Sequence, residues 1–507
     1  MVYTHFAFKD LVSRKDLVGS AAMPKHKKIN KILIANRGEV ALRIIRAIKE
    51  LGLGAVIAYE KPDSDAYFIR FAEEAIMIGE GPIDDYLNID KMIWAAKKTG
   101  ADAIHPGYGF LSENADFAAA CEDAGITFIG PPSRVLKTMG NKFSAREVMQ
   151  RLDIPVVPGT GLLQQGKDGM REALEFGRKH GYPVMVKAAT SGGGRGVRRA
   201  RSSSVLMGYL NRAWLKPWKL WRDGVYLEKC MESIKHVEIQ ILADHYGNVI
   251  HLGSRDASIQ RRNQTLLVTA PANIPEKLLD TLYDVAIKAV KSIGYVNAGT
   301  MEFLVNPQTG EYWFISLNRR LEVEHNVTEE LTNIDIVREQ ISIAQGEPLE
   351  IPQERVTLLG KAIQVRINAE NPLNKFLPDG GRMVELYMPP GGPGIRVDGI
   401  LYQGYKIPPQ YDPLLVKLTV RGYDWEQAVS RLESALDAFL IVGPHTTIPF
   451  FRAICDDPDF RKEEFDTRYI KRFGESFTFP DPGKGILKLE SFFMDMYTAE
   501  FFPYSWL

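Results

Sequence analysis

From Lys31 onward the chain alternates strand-length apolar runs with segments of helical period, and this alternation most narrows the folds open to it. Lys31-Ile-Leu-Ile-Ala35 is such a run, and Asn36-Arg37-Gly38 reads as the turn that ends it. Glu39 to Leu51 then sets Val40, Ile44, Ile45 and Ile48 on one helical face, with Gly52 as a stop. Ala55-Val-Ile-Ala58 is the next strand, and similar units continue to Ile126-Thr-Phe-Ile-Gly130, where Pro131-Pro132 breaks the pattern. The pattern predicts a parallel sheet covered by helices.

At 507 residues the chain is too long for one core, and roughly two to four domains are expected. A second α/β piece spans about Val157 to Glu228 and holds the strand Pro183-Val-Met-Val-Lys187 before the loop Thr190-Ser-Gly-Gly-Gly-Arg-Gly196. From Lys229 the strands look antiparallel: Val237–Ile241, Val249–Leu252 and Glu302–Val305. A Pro/Gly stretch, Met388–Gly394, separates later strands from a helix over Trp425–Phe439. The expected division is 1–28 (an N-terminal extension), 29–141, 142–228, 229–473 and 474–507, the last a tail dense in Phe, Tyr and Trp. Such a tail is too aromatic for a solvated linker and is expected to dock on this chain or on a partner.

Lys+Arg and Asp+Glu balance at 63 each, so net charge points to neither nucleic acid nor an anionic membrane. No apolar run approaches the roughly 20 residues that span a bilayer. Cys121, Cys230 and Cys455 form no C-x-x-C pair, and reduced thiols in a cytoplasmic protein are expected.

Chemistry gathers in two places. Gly192, Gly193, Gly194 and Gly196 let backbone N–H groups approach phosphate oxygens, and Arg195 adds charge. The spacing fits neither a Walker loop nor a dinucleotide fingerprint. Lys187 precedes it at a strand end. Further on, Glu311-Tyr-Trp-Phe-Ile-Ser-Leu-Asn-Arg-Arg-Leu-Glu-Val-Glu-His325 runs from an apolar strand into charged and amide side chains. A buried strand delivers reactive groups at its exposed end in this way.

That segment resembles the catalytic strand of the ATP-grasp biotin carboxylases, Phe-Ile-Glu-(Met/Leu)-Asn-x-Arg-x-Gln-Val-Glu-His. Further signatures follow in the family's order: Ile34–Arg46, His105-Pro-Gly-Tyr-Gly-Phe-Leu-Ser-Glu-Asn114, Met139–Lys142, His236-Val-Glu-Ile-Gln240, Arg255–Arg262, Ala298–Phe303 and Arg366–Glu370. The resemblance covers roughly residues 29 to 473. It implies α/β and α+β architecture: an N-terminal preATP-grasp α/β domain, an ATP-grasp lid and a C-terminal biotin carboxylase domain.

By the same resemblance Lys142 and Lys187 would hold ATP phosphates, Glu228 and Lys229 would sit by the adenine and hinge, and His236 and Gln260 near the ribose. Glu302 and Asn318 would bind magnesium. Glu324 would be the general base toward bicarbonate, Arg320 would stabilise the biotin enolate, and Arg366 the phosphate or carboxyphosphate. A plain salt bridge between Glu324 and Arg320 is the bland alternative. The chain shows no Ala-Met-Lys-Met signal or carboxyltransferase region. The resemblance therefore implies biotin on a separate carboxyl carrier protein, carboxyltransferase subunits as partners, and a homodimer using Arg43, Arg46 and Glu50, or a hetero-oligomer with an intact paralogue.

Departures cluster in one pocket. Ser316 stands where the family has a second metal-binding carboxylate, and Glu322 where it has Gln. Asn263, Thr265 and the pair Val268-Thr269 replace a His, a Lys and two Glu. Losing the Lys and gaining Glu322 would shift the pocket by about two charge units toward negative, each worth roughly 4 kcal/mol at ~4 Å in a surface-like dielectric. Thr190 and Ser191 replace loop glycines. Trp214, Trp218 and Trp221 suggest a docking surface, with lid packing as the bland alternative. These departures favour a degenerate paralogue with a weakened magnesium site, acting as scaffold or regulator. The alternative is an active biotin carboxylase.

Overall fold

The computed structural model of the chain describes residues 28–189, 196–215 and 224–476. Residues 1–27 of the N-terminal extension and 477–507 of the aromatic tail lie outside the described residues. So do Gly192, Gly193, Gly194, Trp218 and Trp221.

The first domain is a parallel sheet of order β3-β2-β1-β4-β5. Its strands are β1 (Lys31–Ile34), β2 (Gly54–Glu60), β3 (Glu74–Gly79), β4 (Ala103–His105) and β5 (Thr127–Phe128). Ile32, Leu33 and Ile34 are all buried, as a strand covered on both faces requires. The helix Gly38–Glu50 lays Val40, Ile44, Ile45 and Ile48 against the sheet. The last strand is shorter than its apolar run. Ile129 still donates to the Ile104 carbonyl at 2.9 Å, but Pro131 and Pro132 have no N–H with which to extend the ladder. At the carboxyl ends of the strands Asn36 clamps the next loop, donating to the Pro106 and Tyr108 carbonyls at 2.7 Å each. Open parallel sheets offer their binding crevice on that side.

The second piece differs from its α/β expectation. β6 (Val184–Ala188), β7 (Val197–Ala200) and β8 (Val225–Lys229) form a three-stranded sheet in which both pairs are antiparallel. β6 and β7 flank the glycine loop, which makes them a hairpin. The helices Lys167–His180 and Ser203–Leu215 cover this sheet, and Trp214 packs half-buried against their shared core. For Trp214, lid packing is what the structure shows.

The third piece is built on one antiparallel sheet of eight strands. It runs through β13 (Tyr312–Asn318), β12 (Asn297–Val305), β9 (Lys235–Ala243), β10 (Val249–Arg261), β11 (Gln264–Ala270) and β14 (Lys361–Asn368). The strands Leu414–Gly422 and Ile395–Gly399 complete it. The helix Glu276–Ser292 presses Leu278, Leu282, Ala286 and Ala289 onto one face. Register places Glu302 opposite both Glu238 and Ser316. Three residues far apart in the chain therefore meet on one row across the sheet.

Two expectations change at this level. Val268 and Thr269 are buried in β11 and do not line the cavity described below, so their loss of charge is no feature of that cavity. Arg43, expected at a subunit interface, is buried within the chain, where it donates to Glu329 at 2.8 Å and Asp335 at 2.6 Å. Arg46 and Glu50 on the same helix remain exposed.

Candidate functional site

A cavity of about 960 Å³ opens where the first domain, the lid sheet and the large sheet meet. Lys142, Lys187, Glu228, Lys229, His236, Gln260, Glu302, Asn318, Arg320, Glu324 and Arg366 all line it. Gly196 does not. Its carbonyl accepts the Ala188 N–H at 3.0 Å at the foot of the hairpin.

Lys142 opens the helix Lys142–Arg151, whose cap is the Asn141 side chain accepting from the N–H groups of Phe143 and Ser144 at 2.9 and 3.1 Å. Burial, and then the nearby Lys187 charge, pull the Lys142 pKa down. Such a site gains from an arriving polyanion. Lys187 is ion-paired with Glu228, and Arg146 holds the other Glu228 oxygen at 3.2 Å. The β6–β8 pairing sets Met185 opposite Glu228 and so brings Lys187 within reach.

At the far wall Glu302 accepts from the Ser316 hydroxyl and, at 2.6 Å, from the Asn318 amide. Burial would raise its pKa, but His236, Ser316 and Asn318 outweigh that and hold it down at about 2. Burial pulls His236 down, while Glu302 and then Glu238 push it up to about 9. Its Nε2 stands 3.7 Å from Glu302, and Gln260 meets its Nδ1 at 2.6 Å. Magnesium takes oxygen ligands, commonly one or two carboxylates plus nucleotide phosphates. The Glu302 carboxylate and the Asn318 amide oxygen fit the lower end of that set, and Ser316 adds no charge.

Glu324, 3% exposed, is paired with Arg366 and not with Arg320. Burial raises its pKa, but the charges of Arg366 and Arg255 hold it below the usual carboxylate range. Arg320 instead donates to Glu322 at 2.7 Å and lies 3.6 Å from Glu113. Glu322 is 4% exposed, and its second oxygen is buried without a hydrogen-bond partner. Burial raises its pKa, Arg320 opposes this, and Glu324, Glu238 and Glu302 add to it, leaving it at about 8. Glu322 is therefore biased toward its protonated form. Burial first, and then the three neighbouring carboxylates, disfavour the extra negative charge expected from the sequence.

Thr265 and Asn263 line the cavity from the β10–β11 hairpin. Arg262 and Asn263 have φ of 53° and 61°, as a two-residue type I′ turn requires, and Asn tolerates that backbone well. Asn263 thus has a local conformational role.

Several residues of the site were not singled out in the sequence. Glu113 takes three N–H groups from Arg319, at 3.0, 3.3 and 3.0 Å, and so links the first domain to the large sheet. It sits inside the His105–Asn114 run, which was the available signal. Glu238 lies within His236–Gln240. Fully buried Arg255 donates to Glu238 at 2.9 Å and also to Gln240, Thr328 and Thr300. Replacing Arg255 by Leu strands the Glu238 charge, and removing one partner of a buried pair costs about 3–5 kcal/mol. The expected result is a matching fall in the denaturant stability of the Arg255→Leu variant.

Three family models match consecutive stretches of the chain. They are the biotin carboxylase N-terminal domain over residues 28–136, the ATP binding domain of the carbamoyl-phosphate synthase L chain over 141–352, and the biotin carboxylase C-terminal domain over 364–472. Biotin carboxylase 1 of Bacillus subtilis is 44% identical over 449 residues, covering 88% of this chain and 99% of that protein. The 2-oxoglutarate carboxylase small subunit of Hydrogenobacter thermophilus is 47% identical over 455 residues, 89% of this chain and 95% of that protein. Among solved structures, the biotin carboxylase domain dimer of the Hydrogenobacter thermophilus 2-oxoglutarate carboxylase, in complex with MgADP, ADP and bicarbonate, aligns with a TM-score of 0.86 at 45% identity. The match covers 90% of this chain and 100% of that one. The Campylobacter jejuni biotin carboxylase in its β,γ-ATP complex aligns with a TM-score of 0.84 at 41% identity, covering 88% of this chain and 99% of that one.

Proposed function

Because the chain belongs to the biotin carboxylase family of biotin-dependent carboxylases, we propose that it is the subunit that uses ATP and bicarbonate to carboxylate biotin borne on a separate carrier protein. The observation that carries this reading is the Glu324–Arg366 pair beside Arg320, in one cavity with Lys142 and Lys187. In this role Lys142 and Lys187 bind the nucleotide phosphates as point charges. Glu228, Lys229, His236 and Gln260 bound the nucleoside end. Glu302 and Asn318 hold the magnesium, which when bound neutralises charge on the phosphates. Glu324, kept ionised, takes the proton from bicarbonate, whose oxygen then attacks the γ-phosphorus to give carboxyphosphate and ADP. Arg366 steadies the anion so formed, and Arg320 the enolate of the ureido ring.

A scaffold or regulatory paralogue ranks first on the sequence substitutions alone. The names of relatives 44–47% identical, and a Glu322 whose pKa burial pushes up, favour the active alternative. One observation still speaks for the scaffold: the Ser316 hydroxyl donates to Glu302 and leaves it as the single carboxylate of the weakened metal site. On either reading the partners are the carrier protein, carboxyltransferase subunits, and a second copy or an intact paralogue.

The deciding measurement is ATP cleavage by the purified chain with and without bicarbonate and free biotin. Turnover that needs both supports the enzyme. If turnover is absent and then emerges in a Ser316→Glu, Thr265→Lys, Glu322→Gln triple variant, the scaffold reading holds. For the nucleotide end, Lys187→Ala is expected to raise KM for ATP about tenfold or more, the loss of one charge-assisted contact. An unchanged KM would remove Lys187 from the phosphate site.

A further inference from the structure

His236, Glu238 and Glu302 each offer one ligand atom, and these atoms lie within 4.8 Å of one another. Their meeting is a property of the sheet. His236 and Glu238 are two residues apart on β9 and so share a face. Glu302 on β12 is the direct cross-strand partner of Glu238, and Leu304 is that of His236. Like charges directly opposite on one face are destabilising unless something offsets them. Arg255 reaches only one oxygen of Glu238 and divides its other donors among Gln240, Thr300 and Thr328. On the imidazole, Nε2 is buried without a hydrogen-bond partner and faces Glu302 at 3.7 Å. Gln260 fixes the ring through Nδ1. With the Gln260 amide oxygen turned toward Nδ1, that nitrogen would keep its proton when a cation binds and leave Nε2 to present a lone pair, the usual way an outer partner orients a metal-binding histidine.

We propose that His236, Glu238 and Glu302 bind a divalent cation in the absence of nucleotide, with an imidazole nitrogen in its coordination. The His236 Nε2 and Glu302 Oε2 atoms, 3.7 Å apart, are spaced as two ligands of one cation at normal bond lengths of about 2.0–2.2 Å, and the Glu238 carboxylate lies within 4.8 Å of both. One imidazole and two carboxylates make a neutral site for such a cation. The nitrogen ligand selects manganese, cobalt or zinc over magnesium, which prefers oxygen alone.

The test uses the full chain stripped with chelator and kept free of nucleotide. Manganese is titrated in and followed by its electron paramagnetic resonance signal, and the bound form is examined for ¹⁴N modulation. One saturable site, ¹⁴N coupling from imidazole, and retention of manganese against a tenfold excess of magnesium are expected. Glu238→Gln and His236→Ala should each weaken binding by about tenfold or more. Variants are compared only where their melting in chelator matches the parent. No binding without nucleotide, no ¹⁴N coupling in the unaltered chain, or displacement by equimolar magnesium would overturn the proposal. Because no nucleotide or bicarbonate is present, its failure leaves the carboxylation reading standing, and the converse holds too.

Discussion

Replacing Glu322 by Gln is expected to leave bicarbonate-dependent ATP cleavage nearly unchanged at pH 6.5 and to raise it at least tenfold at pH 9. Glu322 holds its proton up to about pH 8, because burial and the carboxylates of Glu324, Glu238 and Glu302 outweigh Arg320. Below that pH the neutral acid can donate a hydrogen bond, as an amide does, and Arg320 keeps its charge for an incoming anion. Above it, each further pH unit removes about tenfold of the neutral form, and the new carboxylate neutralises Arg320 at 2.7 Å. The parent should therefore lose activity on the alkaline side where the variant does not. Stability gives an independent readout. The folded-state pKa is raised from 4.5, so the parent is not penalised below pH 4.5 and loses stability as pH rises to about 8. Each pKa unit of that window is worth about 1.4 kcal/mol. Glu322→Gln should thus gain on the parent by a few kcal/mol between pH 5 and pH 8, read from denaturant midpoints. A pH profile identical in the two proteins would show Glu322 ionised throughout.

Glu324→Gln carries the other large effect. It removes the general base, a loss of roughly 10²–10⁴ in turnover. The half-buried Arg366 guanidinium is left without its partner, at a cost of about 1–3 kcal/mol. The two consequences separate by measurement. If only the ion pair mattered, stability would fall while turnover per folded molecule stayed near the parent value. Loss of turnover with Km for ATP preserved places Glu324 at the proton transfer.

Much of this was readable before any coordinate. The alternation after Lys31 reports a parallel sheet because apolar period and turn residues are local properties. Lys142, Lys187, Glu302, Asn318, Glu324 and Arg366 could be named from motif order, and the cavity gathers them all. The lid was misread as α/β because a single strand beside helices does not reveal the direction of its partners. The pairing of Glu324 was open for a similar reason. Arg320 is close in sequence, while Arg366 reaches Glu324 from β14, 42 residues on.

What the sequence by itself determined was the order of elements, the family resemblance and the identity of each reactive group. The tertiary structure alone decided their charge states and partners. Strand register moved Val268 and Thr269 into the core and aligned Glu238 with Glu302. Burial among carboxylates, a matter of distances between β9, β12 and the segment after β13, pushed the Glu322 pKa up. Ionisation follows the field of the folded neighbours, and no local stretch of residues encodes that field.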